Sequence, residues 1–170
     1  DAAVVVEPEH VASGAGVAPY AVKVSGKGID QTLRGTIIRA EWKATYFPWT
    51  DEADPRKELA AWRALASGDK AVQVDLKSLD DLAYGHGGPK DLKQLSQYRD
   101  KLPGGDHFGM IAKATIDLPK GMWKFSTLSD DGVRVKVGDQ VVVDNWTWHA
   151  PTRDEAMFEQ KQAGPVEITV

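Results

Sequence analysis

The sequence predicts an all-β fold: an antiparallel β-sandwich with one or two short helical insertions. Three observations lead to this prediction. The apolar runs are short and rich in valine, and none approaches the ~20 residues that a membrane-spanning helix needs. The 16 glycines and nine prolines place turns between these runs. The alternating run Val133–Val137 and the apolar run Val141–Val143 flank Gly138-Asp139, which is a strong hairpin signal.

The N-terminal residues 1–32 are broken by glycines and prolines and contain two short strand candidates, Val4–Val6 and Tyr20–Val24. We expect an N-terminal extension or the end of a preceding domain here, and the sandwich in residues 33–170. Residues 33–47 are predicted to form the first long strand, because β-branched and aromatic side chains dominate there.

Two segments have the spacing of helices, at residues 55–67 and 90–101. Asp54 is placed to cap the first of them, and Pro55 suits a first helical turn. The charged residues of 51–58 are expected to be a solvated helix start. The apolar positions that repeat at helical spacing are Leu59, Trp62 and Ala66 in the first segment, and Leu92, Leu95, Tyr98 and Leu102 in the second.

The rest of the chain alternates as strands do. Val133, Val135 and Val137 are predicted to face the core, with Arg134 and Lys136 facing outward. The other strand candidates are 71–76, Met110–Leu118, Met122–Thr127, Ala156–Glu159 and Val166–Val170.

Composition excludes several classes of function. The formal net charge is −4 and the basic residues are scattered, so no face for nucleic acid is predicted. The absence of cysteine excludes a disulfide scaffold, a zinc ribbon and a thiol nucleophile. The four histidines lack the spacing of a local zinc site, and no GxSxG nucleophile elbow occurs. The sequence therefore predicts a protein that is not an enzyme.

The informative segment is Leu118–Asn145, which contains an aromatic strand, a Ser-Asp-Asp-Gly motif, the valine hairpin and then Asp-Asn, with Trp146 directly after it. In this order and spacing, it resembles the PA-fourteen domain, a lectin-like β-sandwich of the protective-antigen type. The resemblance extends with less specificity over residues 36–170. The motif residues are Trp123, Phe125, Ser129-Asp130-Asp131-Gly132, Gly138-Asp139 and Asp144-Asn145-Trp146.

The resemblance implies a site as well as a fold. In the fungal adhesin members, two aspartates joined by a cis peptide bond bind calcium, and the calcium binds sugar hydroxyls. The matching residues here are Asp130 and Asp131, and Trp146, Trp148 and His149 form an adjacent loop. This implies Ca²⁺ as a cofactor, a glycan as a partner and an extracytoplasmic location, since the helical insertion at 55–67 resembles one found in large secreted bacterial proteins.

Each of these features also has a structural interpretation. Asp130-Asp131-Gly132 can be a turn in which aspartate accepts local amides. The rings of Trp146 and Trp148 can stack on sugars, or they can fill the sandwich with His149 hydrogen-bonded nearby. Both interpretations remain open from the sequence.

The chain also departs from the family pattern. Family members continue past a segment like Val166–Val170, so the last strand of the sandwich is expected to be missing or to come from elsewhere. An open sheet edge invites a strand from a neighbouring domain or subunit. The alternative function is therefore a structural or assembly subunit of an extracytoplasmic or membrane-associated complex, with no transmembrane segment of its own.

Overall fold

The computed structural model describes residues 3–7, 16–26, 28–80 and 82–170. These residues form eleven strands and one α-helix, with short 3-10 segments between them. The strands are β1 (Ala3–Glu7), β2 (Gly16–Gly26), β3 (Ile29–Arg39), β4 (Trp42–Pro48), β5 (Val72–Leu76), β6 (Phe108–Leu118), β7 (Gly121–Ser129), β8 (Val133–Val137), β9 (Gln140–Asn145), β10 (Thr152–Gln160) and β11 (Gly164–Thr169), and the helix is α1 (Leu59–Ala64).

Six strands form the main sheet, in the order β5-β4-β6-β11-β8-β9. All neighbours in it are antiparallel. A two-stranded sheet of β10 and β7 packs on one half of this sheet, because Phe125 and Phe158 point into the core beneath it. The predicted all-β antiparallel fold is confirmed.

The N-terminal strands form a separate sheet in the order β1-β2-β3. The prediction of one long strand over residues 33–47 is wrong: β3 ends at Arg39, and β4 begins at Trp42 in the main sheet. The chain changes sheet at Ala40, which is buried against the sandwich core together with the partly buried Val17. The composition of 33–47 favours strand throughout, but burial of Ala40 marks the point of change.

The first predicted helix is shorter than expected. Residues 54–57 form a turn in which the Asp54 carbonyl accepts from the backbone amides of Lys57 and Glu58, and α1 begins only at Leu59. Trp62 on α1 packs edge-on against Phe47 of β4, with ring centroids 4.9 Å apart. A Cβ atom on Gly109 of β6 would lie 2.5 Å from the Trp62 ring, so glycine permits this approach of helix and sheet.

The second predicted helix, at 90–101, is wrong in type. Pro89–Asp91 and Lys93–Tyr98 are 3-10 segments. The apolar positions Leu92, Leu95 and Tyr98 repeat every three residues, which matches the three residues per turn of a 3-10 helix.

The inner face of the main sheet carries two hydrophobic cores. The first core lies under the two-stranded sheet, and the predicted inward positions Val135 and Val137 are both buried there. The second core lies under the irregular segment between β5 and β6. Its buried members are Ala44, Tyr46, Val74, Leu76, Leu92, Leu95, Leu102 and Ala112.

Two tyrosines meet at the border of the second core. The hydroxyl groups of Tyr46 and Tyr84 are 2.9 Å apart and share a hydrogen bond. Burial raises the pKa of both, so each stays a neutral phenol that can donate and accept.

Within the described ranges, no helix has the length and hydropathy required to cross a membrane.

Candidate functional site

The candidate site begins at the short loop between β7 and β8. Asp130, Asp131 and Gly132 are all exposed there, and the peptide bond between the two aspartates is cis. Two neighbouring carboxylates at the surface present up to four oxygen atoms to solvent.

The loop between β9 and β10 faces this pair. The backbone amide of His149 donates to Asp131 Oδ1 over 3.4 Å. The His149 ring is held by its own loop, because Nδ1 lies 2.9 Å from the carbonyl oxygen of Ala150, which can only accept a hydrogen bond. His149 Nε2 is buried and has no partner among the described residues. His149 thus contacts the aspartate through its backbone amide, while its ring bonds to the Ala150 carbonyl of its own loop.

The two tryptophans of this loop have different surroundings. The side chain of Trp148 is 66% exposed. Trp146 is half-buried, donates from its indole N–H to the Pro55 carbonyl over 3.0 Å, and packs edge-on against Trp62 at 5.3 Å between centroids. Trp146 therefore joins the loop to the helical insertion, and Trp148 is the ring that remains available at the surface.

Arg56 lies over this exposed ring. Its guanidinium carbon is 4.2 Å from the Trp148 ring centroid, the geometry of a cation–π contact. Asp54 fixes the guanidinium: Arg56 Nε donates to Oδ1 over 2.9 Å, and the terminal nitrogen donates to Oδ2 over 2.5 Å. The side chain that positions Arg56 is thus an aspartate only 3% exposed.

The charges of this pair stabilise one another. Hydrogen bonds from Arg56 lower the pKa of Asp54 to about 2. In turn, the hydrogen bonds to Asp54 raise the pKa of Arg56, and the charges of Asp51 and Asp131 act in the same direction. The expectation that residues 51–58 are a solvated helix start is wrong at Asp54, which is buried. Asp54 pairs with residues two and three positions further along the chain, so its position in the sequence resembles that of an ordinary helix cap.

Asn145 is a further residue that the motif contained but that we did not predict to act. Its side-chain nitrogen donates to Asp154 Oδ2 over 3.0 Å, and its oxygen accepts from the Thr147 hydroxyl over 2.8 Å. Asn145 therefore fixes the start of the Trp148 loop relative to β10. An asparagine that ends a strand beside a loop is the available sequence signal.

The chemistry of the donors decides whether calcium fits. Ca²⁺ takes six to eight oxygen ligands, mostly carboxylates, carbonyls and waters. Among the residues that the structure describes, no three His, Cys, Asp or Glu side chains form a metal-binding cluster. Asp130 and Asp131 would therefore supply a partial set of hard oxygen donors, which waters, carbonyl groups or ligand hydroxyls would complete. The guanidinium of Arg56 is a competing positive charge next to Asp131.

Comparison with known proteins identifies one family. Residues 90–170 match the model of the PA14 domain, which is the PA-fourteen family. The predicted resemblance is confirmed over this segment, which contains β6–β11 and both site loops. PA14 domains are in general carbohydrate-binding-like and adhesion domains, and they occur in extracellular proteins. Searches of curated proteins and of solved structures gave no significant match. Asp54 and Arg56 lie outside the matched segment.

Proposed function

We propose that this chain is a non-catalytic carbohydrate-binding module of an extracytoplasmic protein, assisted by calcium at Asp130 and Asp131. The observation that carries the proposal is the exposed ring of Trp148 beside the two exposed carboxylates, in a loop joined to Asp131 by the His149 amide. The match of residues 90–170 to the PA14 domain supports the general class.

The arrangement provides two kinds of contact for a sugar. The carboxylates would hold calcium, whose remaining positions accept sugar hydroxyl oxygens. The face of Trp148 offers an apolar surface for the C–H groups of a pyranose ring. Arg56 covers part of that ring, so the bound sugar either uses the free face or displaces the guanidinium. We assign these residues to binding and no reaction to the site.

Calorimetric titration with calcium tests the metal part of the proposal. We expect saturable binding to the wild type. Asp130→Asn and Asp131→Asn should each weaken it by about tenfold or more, because calcium affinity depends on ligand charge. Asp139→Asn, an exposed aspartate in the β8–β9 turn, is the matched control and should bind as the wild type does. Thermal unfolding of each variant checks the fold.

The glycan part is tested on immobilised neutral glycans, with calcium and with a chelator. We expect retention that requires calcium and that Trp148→Ala abolishes, while the fold is kept because Trp148 is exposed. This function would be overturned if the wild type bound no calcium. It would also be overturned if neither the chelator nor Trp148→Ala reduced retention on the glycans.

A second candidate function, a structural subunit, is favoured by the outer face of the two-stranded sheet. Met122 and Leu128 of β7 and Met157 of β10 are 61%, 65% and 56% exposed there. Large apolar side chains exposed on one face of a sheet are typical of protein contact surfaces. If this face binds another subunit, Met157→Lys will abolish a complex that light scattering detects with the wild type. A monomeric wild type in the presence of the purified neighbouring domains would argue against it.

A further inference from the structure

A small pocket lies on the outer face of the main sheet, where α1 crosses it. Its volume is about 70 Å³, enough for one charged group of a few atoms. Three of its lining residues are cationic: Arg63 from α1, and Arg134 and Lys136 from β8. Two of its walls are the aromatic rings of Trp62 and Trp146.

The charges around this pocket are not balanced. Arg134 pairs with Asp144, which accepts from Nε over 2.9 Å and from the terminal nitrogen over 2.8 Å. The ion pairs formed by the described residues include neither Arg63 nor Lys136. Asp144 thus pairs with one of the three cations and leaves Arg63 and Lys136 without an ion-pair partner among the described residues, and nearby apolar surface strengthens their field.

Trp62, which also lines the pocket, has an unused hydrogen-bond donor. Its side chain is 6% exposed, and its indole N–H is buried without an acceptor among the residues described. A buried donor that lacks an acceptor costs free energy, and a ligand oxygen placed in the pocket is one means of supplying it. Trp146 is already fixed by its bond to the Pro55 carbonyl, so its ring is a rigid wall.

We propose that this pocket binds an oxyanion, the carboxylate or sulfate group of an acidic saccharide. Arg63 and Lys136 would supply the charge-assisted hydrogen bonds that such a group requires. The half-buried Trp146 ring would contact the sugar to which the group is attached. The saccharide part rests on the proposed function, whereas the anion part is independent of calcium at Asp130 and Asp131.

The test is nuclear magnetic resonance titration of the indole N–H signals at constant ionic strength. The probes are glucuronate, inorganic sulfate and, as the uncharged match of the first, glucose. We expect saturable shifts of the Trp62 and Trp146 signals with glucuronate and sulfate and none with glucose. The Trp148 signal reports the calcium site and should stay unchanged in a calcium-free buffer.

Variants then assign the binding to these side chains. The double variant Arg63→Gln/Lys136→Gln should weaken glucuronate binding by about tenfold or more, since it removes both unpaired charges. The control Lys120→Gln/Lys161→Gln removes two exposed charges elsewhere and should bind as the wild type does. If the first double variant fails to fold, the affinity of Lys136→Gln for glucuronate is measured from the same indole signals.

Four outcomes would overturn the proposal. Equal shifts with glucose would show that binding does not depend on a negative charge. The absence of saturable shifts would show that the pocket binds none of the probes. An unchanged affinity of Lys136→Gln for glucuronate would show that the binding residues are wrongly assigned. Binding of inorganic sulfate without glucuronate would overturn the assignment to an acidic saccharide and leave a site for a free oxyanion. A chain that fails to bind calcium yet shifts with glucuronate would refute the calcium site alone, so the two failures are distinguishable.

Discussion

The two halves of the main sheet are covered in different ways on the same inner face. Over the first core, the cover is the regular two-stranded sheet of β7 and β10, with Phe158 buried beneath it. Over the second core, the cover is a segment without regular strands, which places Leu92, Leu95 and Leu102 on the sheet. Strand β6 passes through both halves, with Ala112 in the second core and Ile116 in the first.

The two covers are held on the main sheet by different means. A strand places alternate residues inward because its backbone is pleated, and the pairing of β7 with β10 fixes their register. The irregular segment has no such ladder, so its hold depends on close contacts at single residues. One of them is the approach of Gly88 to Gly104, which brings an inner part of the segment against its C-terminal end.

The largest expected effect tests whether the irregular cover is packed as tightly as the regular one. Leu95 is 0% exposed, so Leu95→Ala should destabilise the fold by about 2–5 kcal/mol through lost burial and a cavity. Val135→Ala, under the regular cover, should cost about 1–3 kcal/mol. Denaturant unfolding measures both, and Gln97→Ala, exposed on the same 3-10 segment, is the control. A smaller loss at Leu95 than at Val135 would show that the irregular cover is loose.

A second, smaller effect concerns the close approach that holds the irregular cover. A Cβ atom on Gly88 would lie 2.3 Å from the carbonyl oxygen of Gly104, and backbone must move to admit it. Gly88→Ala should therefore cost about 1–3 kcal/mol. The matched control is Gly104→Ala, whose Cβ would meet only the Lys90 amine at 4.0 Å. Equal midpoints of thermal unfolding for the two variants would contradict this account.

The smallest effect concerns Asp54 in the segment between β4 and β5, whose helix α1 packs on the opposite face of the sheet. The pKa of Asp54 falls from its ordinary 3.8 to about 2, so its ionised form stabilises the fold above pH 4. That contribution is lost as the pH falls from about 4 to about 2. Asp54→Asn should therefore be less stable than the wild type at neutral pH, with a difference that shrinks over this interval.

Thermal unfolding across pH measures this difference, with Asp69→Asn, an exposed aspartate of the same region, as the control. A difference between wild type and Asp54→Asn that is constant from pH 7 to about pH 2 would mean that the charge of Asp54 contributes nothing.

The regular half of the molecule is the half that the sequence predicts well. Alternation in Val133–Val137 and the Gly138-Asp139 turn suffice, because local pairing decides those positions. The second core is predicted only in its apolar residues. Leu92, Leu95 and Tyr98 fit an α-helix or a 3-10 helix, and tertiary contact with the sheet selects the latter.

The candidate site divides in the same way. Asp130 and Asp131 are found from a motif of consecutive residues, as is the loop that contains Trp148. The contact between Arg56 and Trp148 joins positions far apart in the chain, and no periodicity encodes it. The change of sheet at Ala40 is equally hidden, because strand composition continues through it.

The position of β11 has a consequence for the order in which this sheet assembles during synthesis. β11 lies between β6 and β8, and within the main sheet it is the strand that connects the β8–β9 hairpin to β6. A ribosome that has released residues as far as Asn145 has therefore produced two groups of strands that cannot yet pair. The sheet becomes continuous only when Ile168 and Thr169 emerge and pair with Val137 and Lys136. The nascent chain consequently exposes strand edges until translation has passed these residues, and a chaperone that shields strand edges would act during this interval.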